Sequence, residues 1–262
     1  MKRTWVVVAA LFGLMLAVAT LADSPKIGVV VLHGKWGSPD GQTESLATSL
    51  KGGNLFVESP ELPWSGRRAY DRDMDHFVMQ MDAVVKALRD KGAKKIFLVG
   101  HSMGANGALY YAGKVKVDGL VVIAPGHFPE GKVMHKQYEE DVKKAERLVR
   151  TGKGEEDRFV FMDSNSGNRT RSMRVSAKSF LSYFASDGPM NFAQNCANVK
   201  PETPVLWITP NGEQETIKRM GESCYARLPS DPISSHVKVL GDHMGAPDAS
   251  KTIVREWLQT QW

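Results

Sequence analysis

Two patterns of apolar positions alternate along the chain. Short, β-branched runs at residues 27–32, 54–57, 95–99, 119–124, 205–209 and 236–240 have the length of strands buried in a sheet. Between them lie stretches with helical spacing, over residues 44–50, 105–112, 215–227 and 250–258. The longest such segment places Phe77, Met81, Val84, Val85 and Leu88 on one helical face, which must pack on the sheet. Strands that alternate with helices predict an α/β fold, with a mainly parallel sheet of about six strands covered on both faces.

The alternation lapses between residues 127 and 204. That stretch predicts a highly charged helix over 138–149, a polar loop rich in Ser, Asn, Gly and Arg over 163–174, and an amphipathic piece over 177–185. An excursion of this length between two sheet strands reads as a helical cap insertion at about 128–203, since long excursions in compact domains are commonly lids over a site. Residues 23–262 then form one domain.

The first residues follow another pattern. Lys2 and Arg3 precede a nearly unbroken apolar run over 5–21, and Thr20 and Ala22 are small residues placed for a signal peptidase. The composition predicts a secretory signal peptide over 1–22, the alternative being an uncleaved membrane anchor. No cysteine follows the run, which argues against a lipoprotein. Without those residues the formal charge falls from +5 to +3. The charges are mixed in sign and form no basic stripe, so nucleic acid is a poor partner. Export changes the meaning of Cys196 and Cys224. In an oxidising compartment a lone pair is expected to be a disulfide, the alternative being two buried thiols.

Candidate chemistry starts at Gly100-His101-Ser102-Met103-Gly104. An apolar strand leads into this pentapeptide and small helix-forming residues follow, the context that makes Gly-x-Ser-x-Gly a nucleophile elbow. A serine hydroxyl is a weak nucleophile and requires a base, and the base requires an orienting acid. His243 follows the last strand directly and can reach the elbow's edge of the sheet. Glu213, in the turn after the strand at 205–209, is the expected acid. Its rivals are Glu215, expected inside the following helix, and Asp242, whose position next to the base points it away from the imidazole. Oxyanion donors are expected from the backbone amides of Met103, at a helix start, and Lys35, in the glycine-flanked loop after the first strand. The Lys35 side chain reads either as an attractor of anionic substrate or as a solvated lysine. His33, Trp36 and Trp64 are candidate pocket residues. Phe180, Tyr183, Phe184, Met190 and Phe192 read as packing of cap on core rather than as an acyl pocket. The polar segment 168–171 reads as solvated loop or as a head-group contact.

These motifs, in the order nucleophile, acid, histidine, resemble the α/β-hydrolase superfamily across residues 26–262. The resemblance implies an eight-stranded fold in its full form, here starting at the family's third strand, hence six strands. The family's usual acid is aspartate, and Glu213 departs from it. The implied function is a secreted or periplasmic serine hydrolase that takes a small-molecule ester, or a thioester or amide, through an acyl-enzyme. No cofactor is implied, and the histidines lack the spacing of a helical zinc site. The membrane is a partner only if the N-terminal segment stays uncleaved. The alternatives are a catalytically silent binding protein on the same fold, and an amidase or peptidase.

Overall fold

A computed structural model describes residues 26–156, 159–165 and 169–260. The expected signal peptide, and Ser166, Gly167 and Asn168 of the expected polar loop, lie outside them. Six strands, β1 (Ile27–Leu32), β2 (Leu55–Glu58), β3 (Lys95–His101), β4 (Gly119–Ile123), β7 (Val205–Pro210) and β8 (Ser235–Val239), form one sheet. Its order is β2-β1-β3-β4-β7-β8 and every neighbouring pair is parallel.

The sheet is apolar on both faces because both are covered. In β1, Ile27, Val29 and Val31 join a cluster with Leu46 and Leu50 of α1 (Glu44–Leu50), Ala246 of α8 (Ala246–Ala249) and Val254 and Leu258 of α9 (Lys251–Gln259). Val30 and Leu32 point the other way, toward Phe77 and Met81 of α2 (Met74–Asp90) and Leu109 of α3 (Met103–Lys114). This period-two division of one apolar run between two helical layers is what a buried parallel strand requires. Asp73 fixes the start of α2 by accepting a hydrogen bond from the His76 amide at 3.0 Å.

Between β4 and β7 lie α4 (Lys132–Arg150), β5 (Phe159–Asn165), β6 (Arg169–Val175), α5 (Ala177–Phe184) and α6 (Phe192–Asn198). The expected helical cap is present as α4, α5 and α6, and it also holds a β-hairpin. Where a polar loop was expected over 163–174, β5 and β6 pair antiparallel, with Phe159 opposite Val175 and Asn165 opposite Arg169. Along β5, Phe159, Phe161 and Asp163 are buried while Val160 and Met162 are exposed, a strand alternation. A carboxylate at a core-facing position broke that pattern, which is why the segment reads as a loop. Phe180 of α5 lies against Phe161 and Phe159 at ring-centroid distances of 4.6 and 4.7 Å, and Tyr138 of α4 against Phe184 at 4.7 Å. Cys196 in α6 and Cys224 in α7 (Glu215–Tyr225) are disulfide-bonded across a separation of 28 residues, joining the end of the cap to the helix after β7. Among the described residues no helix is long and apolar enough to cross a membrane.

Candidate active site

The C-terminal ends of β1, β3, β4, β7 and β8 deliver the site. Ser102, between β3 and α3, lies at φ 56° and ψ −122°, a conformation costly for a residue with a Cβ. Two close approaches hold it there. A Cβ on Gly100 would lie 2.6 Å from Ala105 Cα, and one on Gly104 would lie 2.6 Å from the His33 carbonyl oxygen. Only glycine lets β3, α3 and the end of β1 meet this tightly. The Ser102 amide donates to the Ile123 carbonyl at 3.1 Å, so the elbow is also tied to β4.

Ser102, His243 and Glu213 form one hydrogen-bonded chain. The Ser102 hydroxyl donates to His243 Nε2 at 3.0 Å, and His243 Nδ1–H donates to Glu213 Oε2 at 2.6 Å. The Glu213 side chain is 1% exposed and the His243 side chain 15%. The other Glu213 oxygen accepts the Gln214 amide at 3.0 Å. The loops that carry acid and base are stitched together, because the Gly212 amide donates to the Gly241 carbonyl at 2.8 Å. The rival acids are elsewhere. The Glu215 side chain is 71% exposed on α7, and Asp242 accepts the Gly245 amide at 2.8 Å, closing its own turn.

The amides of Met103, first residue of α3, and Lys35, in the loop after β1, are bound to none of the described loop, turn and capping partners. Gly34, which precedes Lys35, packs so close that its Cβ would lie 3.0 Å from Ser102 Cβ. The Lys35 side chain is neither solvated nor a free anion hook. Its ammonium donates to Asp163 Oδ1 and to the Ser164 carbonyl, each at 2.6 Å, and burial holds its pKa below the usual lysine value.

Two residues went unread in the sequence. A Cβ on Gly126, just beyond β4, would lie 2.8 Å from Ser102 Oγ and 3.6 Å from His243 Cε1, so its bareness makes room for both side chains. The signal was present in Pro125-Gly126-His127, which reads only as the close of a strand. His101, inside the elbow motif, turns its Nε2–H to the His243 carbonyl at 2.8 Å and fixes the backbone of His243. Its Nδ1 is buried without a partner, and burial drives its pKa down to about 3, so the ring stays neutral beside His243.

A cavity of 710 Å³ opens at Ser102 and His243. Its apolar wall is Met103 and Phe128, with Val133 and Met134 from the first turn of α4 and Ile217 and Met220 from α7. Lys35, Lys132 and Arg219 also line it, and none of the described lining residues is Asp or Glu. The expected pocket residues lie elsewhere. His33, Trp36 and Trp64 are not on this wall. His33 Nε2 accepts the Leu62 amide at 3.1 Å, and the Trp64 indole donates to the His33 carbonyl at 2.9 Å, so both brace the loop after β1 from behind. Phe180, Tyr183, Phe184, Met190 and Phe192 are buried in the core cluster and are absent from the cavity wall.

Among known proteins, a family model described as serine aminopeptidase, S33, matches residues 56–178, a stretch that includes the elbow and stops short of Glu213 and His243. No curated protein sequence matches the chain. The fold is similar to that of a monoacylglycerol lipase from Paleococcus ferrophilus, at 19% identity and a TM-score of 0.62 over 90% of this chain and 95% of that one. It is similar to DcsB in complex with its substrate analogue, at 14% identity and a TM-score of 0.66 over 91% of each chain. It is also similar to Est1E from Butyrivibrio proteoclasticus with ferulic acid bound, at 13% identity and a TM-score of 0.59 over 90% of each chain. At these identities the likeness is one of fold.

Proposed function

We propose, from a fold shared with α/β-hydrolases of known structure, that the chain is an exported serine hydrolase that cleaves carboxylic esters bearing an apolar acyl group. One observation carries the reading: the Ser102–His243–Glu213 chain opens onto a cavity walled by methionine, phenylalanine and aliphatic side chains. In the proposed reaction Ser102 Oγ attacks the ester carbonyl carbon while His243 Nε2 takes its proton. The negative charge passes to the carbonyl oxygen, which the amides of Lys35 and Met103 receive. The tetrahedral adduct collapses, the carbon–oxygen bond to the alcohol breaks, and the imidazolium returns the proton to the departing alkoxide. Water, deprotonated by the same imidazole, then releases the acid and restores Ser102. Glu213 holds the imidazole in the Nδ1–H tautomer and stabilises its charged form.

The cavity chemistry weighs against an aminopeptidase. Capture of a free α-ammonium calls for a carboxylate, whereas the charged residues on this wall are Lys35, Lys132 and Arg219. Export rests on the composition of residues 1–22, and the N-terminus of the mature protein, read by sequencing, is expected after Ala22.

The test is labelling of purified protein with a fluorophosphonate, followed by hydrolysis of p-nitrophenyl esters of increasing acyl length. Wild type is expected to label and Ser102→Ala is not. Glu213→Gln is expected to lower kcat by about a thousandfold while Glu215→Gln stays near wild type. An unlabelled wild type, beside a serine hydrolase that reacts in the same tube, would instead support a silent binding protein.

A further inference from the structure

The Asp163 carboxylate sits on β5 with no exposure to solvent, inside an otherwise aromatic cap core. It gathers donors from three other parts of the chain. The Lys35 ammonium donates to Oδ1 at 2.6 Å and the Trp36 indole to Oδ2 at 2.8 Å, both from the loop after β1. The Tyr70 hydroxyl, from the segment between β2 and α2, donates to Oδ2 at 2.7 Å, and the Tyr138 hydroxyl of α4 to Oδ1 at 2.9 Å. Next along β5, the Asn165 amide nitrogen donates to the Lys35 carbonyl at 3.2 Å. The cap therefore grips Lys35 at its side chain and its backbone, and grips Trp36 at its ring.

What it grips is strained. Trp36 lies at φ 56°, the left-handed region that a bulky residue enters only when its surroundings impose it. The peptide unit between Gly34 and Lys35 carries the amide assigned above to the oxyanion, so the orientation of that amide depends on the strained turn beside it. We propose that Asp163 is the positioning residue of the oxyanion loop: from the cap, its carboxylate holds Lys35 and Trp36 so that the Lys35 amide faces the carbonyl oxygen that becomes negatively charged when Ser102 attacks. The cap is then part of the oxyanion hole. A hairpin that swung open as a lid would leave a buried carboxylate and a buried ammonium unpaired and would release the loop.

The inference rests on the hydrolase reading, and one set of measurements separates the two. Trp36→Phe removes a single donor from the loop and leaves the charges paired, Asp163→Asn weakens the whole node, and Tyr70→Phe removes a donor that does not belong to the loop. Steady-state kinetics are measured with the inhibition constant of an alkyl boronic acid, whose tetrahedral adduct occupies the oxyanion site. Trp36→Phe is expected to lose about tenfold and Asp163→Asn about a hundredfold in kcat, with KM within about twofold, and the boronate constant is expected to rise in step. Tyr70→Phe is expected to keep its kcat. If Asp163→Asn does not fold, Trp36→Phe carries the comparison. Full kcat in a folded Trp36→Phe variant overturns the proposal, as do equal losses in Trp36→Phe and Tyr70→Phe that follow their melting temperatures. A wild type that the fluorophosphonate fails to label defeats the hydrolase reading itself.

Discussion

At the scale of single residues, the site is governed by what glycine leaves empty and by what a left-handed backbone imposes. Trp36, Tyr70, Ser102, Ala124 and His127 all have positive φ, and all lie at or beside the catalytic edge or the Asp163 node. Strain of this kind persists where packing over-determines the backbone. Gly126 is the sharper case, because its Cα faces Ser102 Oγ and the His243 ring. Gly126→Ala would place a methyl 2.8 Å from Ser102 Oγ and turn the hydroxyl away from His243. The expected outcome is a fall of about a hundredfold in kcat/KM with a thermal melt close to wild type. Unchanged kinetics in that variant would show that Ser102 works from another rotamer.

At the scale of elements, the cap is fastened to the sheet at both ends. The Asp163 node ties β5 to the loop after β1, and the Cys196–Cys224 bond ties α6 to α7. Closing a loop of 28 residues in the unfolded chain is worth about 3.6 kcal/mol in the chain-entropy account. The Cys196→Ser/Cys224→Ser double variant is therefore expected to lose about that much stability in denaturant titration. Its kcat should hold, since neither sulfur borders the cavity; an equal loss in kcat would mean that the bond shapes the pocket through α7. How far these elements could be read from the sequence depended on how simple their environments are. β1 and the helix bearing Phe77 and Met81 have uniform surroundings, and periodicity finds them. The β5–β6 hairpin buries Asp163 among aromatic rings and faces Arg171 across the pair, so its alternation is masked by charge. The four side-chain donors that explain that carboxylate come from residues distant in sequence, and no local window contains them.

At the scale of the whole molecule, buried imidazoles set how stability responds to acid. Burial pushes His101 and His127 down from the ordinary 6.5 to about 3, with repulsion from His243 and Lys35 respectively as smaller contributions. The unfolded chain takes up protons on both rings below about pH 6.5, and the folded chain does so only near pH 3. Their contribution is thus fully present above pH 6.5 and is lost on acidification, at about 1.4 kcal/mol per pH unit for each ring. Urea midpoints measured from neutral pH down to about pH 4 should fall steadily. His127→Gln should fall less steeply; a flat wild-type profile would mean that these rings are hydrated and titrate normally.

The amino-acid sequence alone determined the strand and helix alternation, the six-stranded parallel sheet and the elbow that presents Ser102. Each of these is written in near neighbours, through periodicity, glycine placement and strand length. The tertiary structure decided which carboxylate meets His243, that the cavity lies between α4 and α7 and away from Trp36 and Trp64, and that Lys35 spends its charge on Asp163. Those facts depend on side chains that chain distance separates widely, as the 128 residues between Lys35 and Asp163 do. Their contacts arise from packing, and packing exists only once the chain has folded.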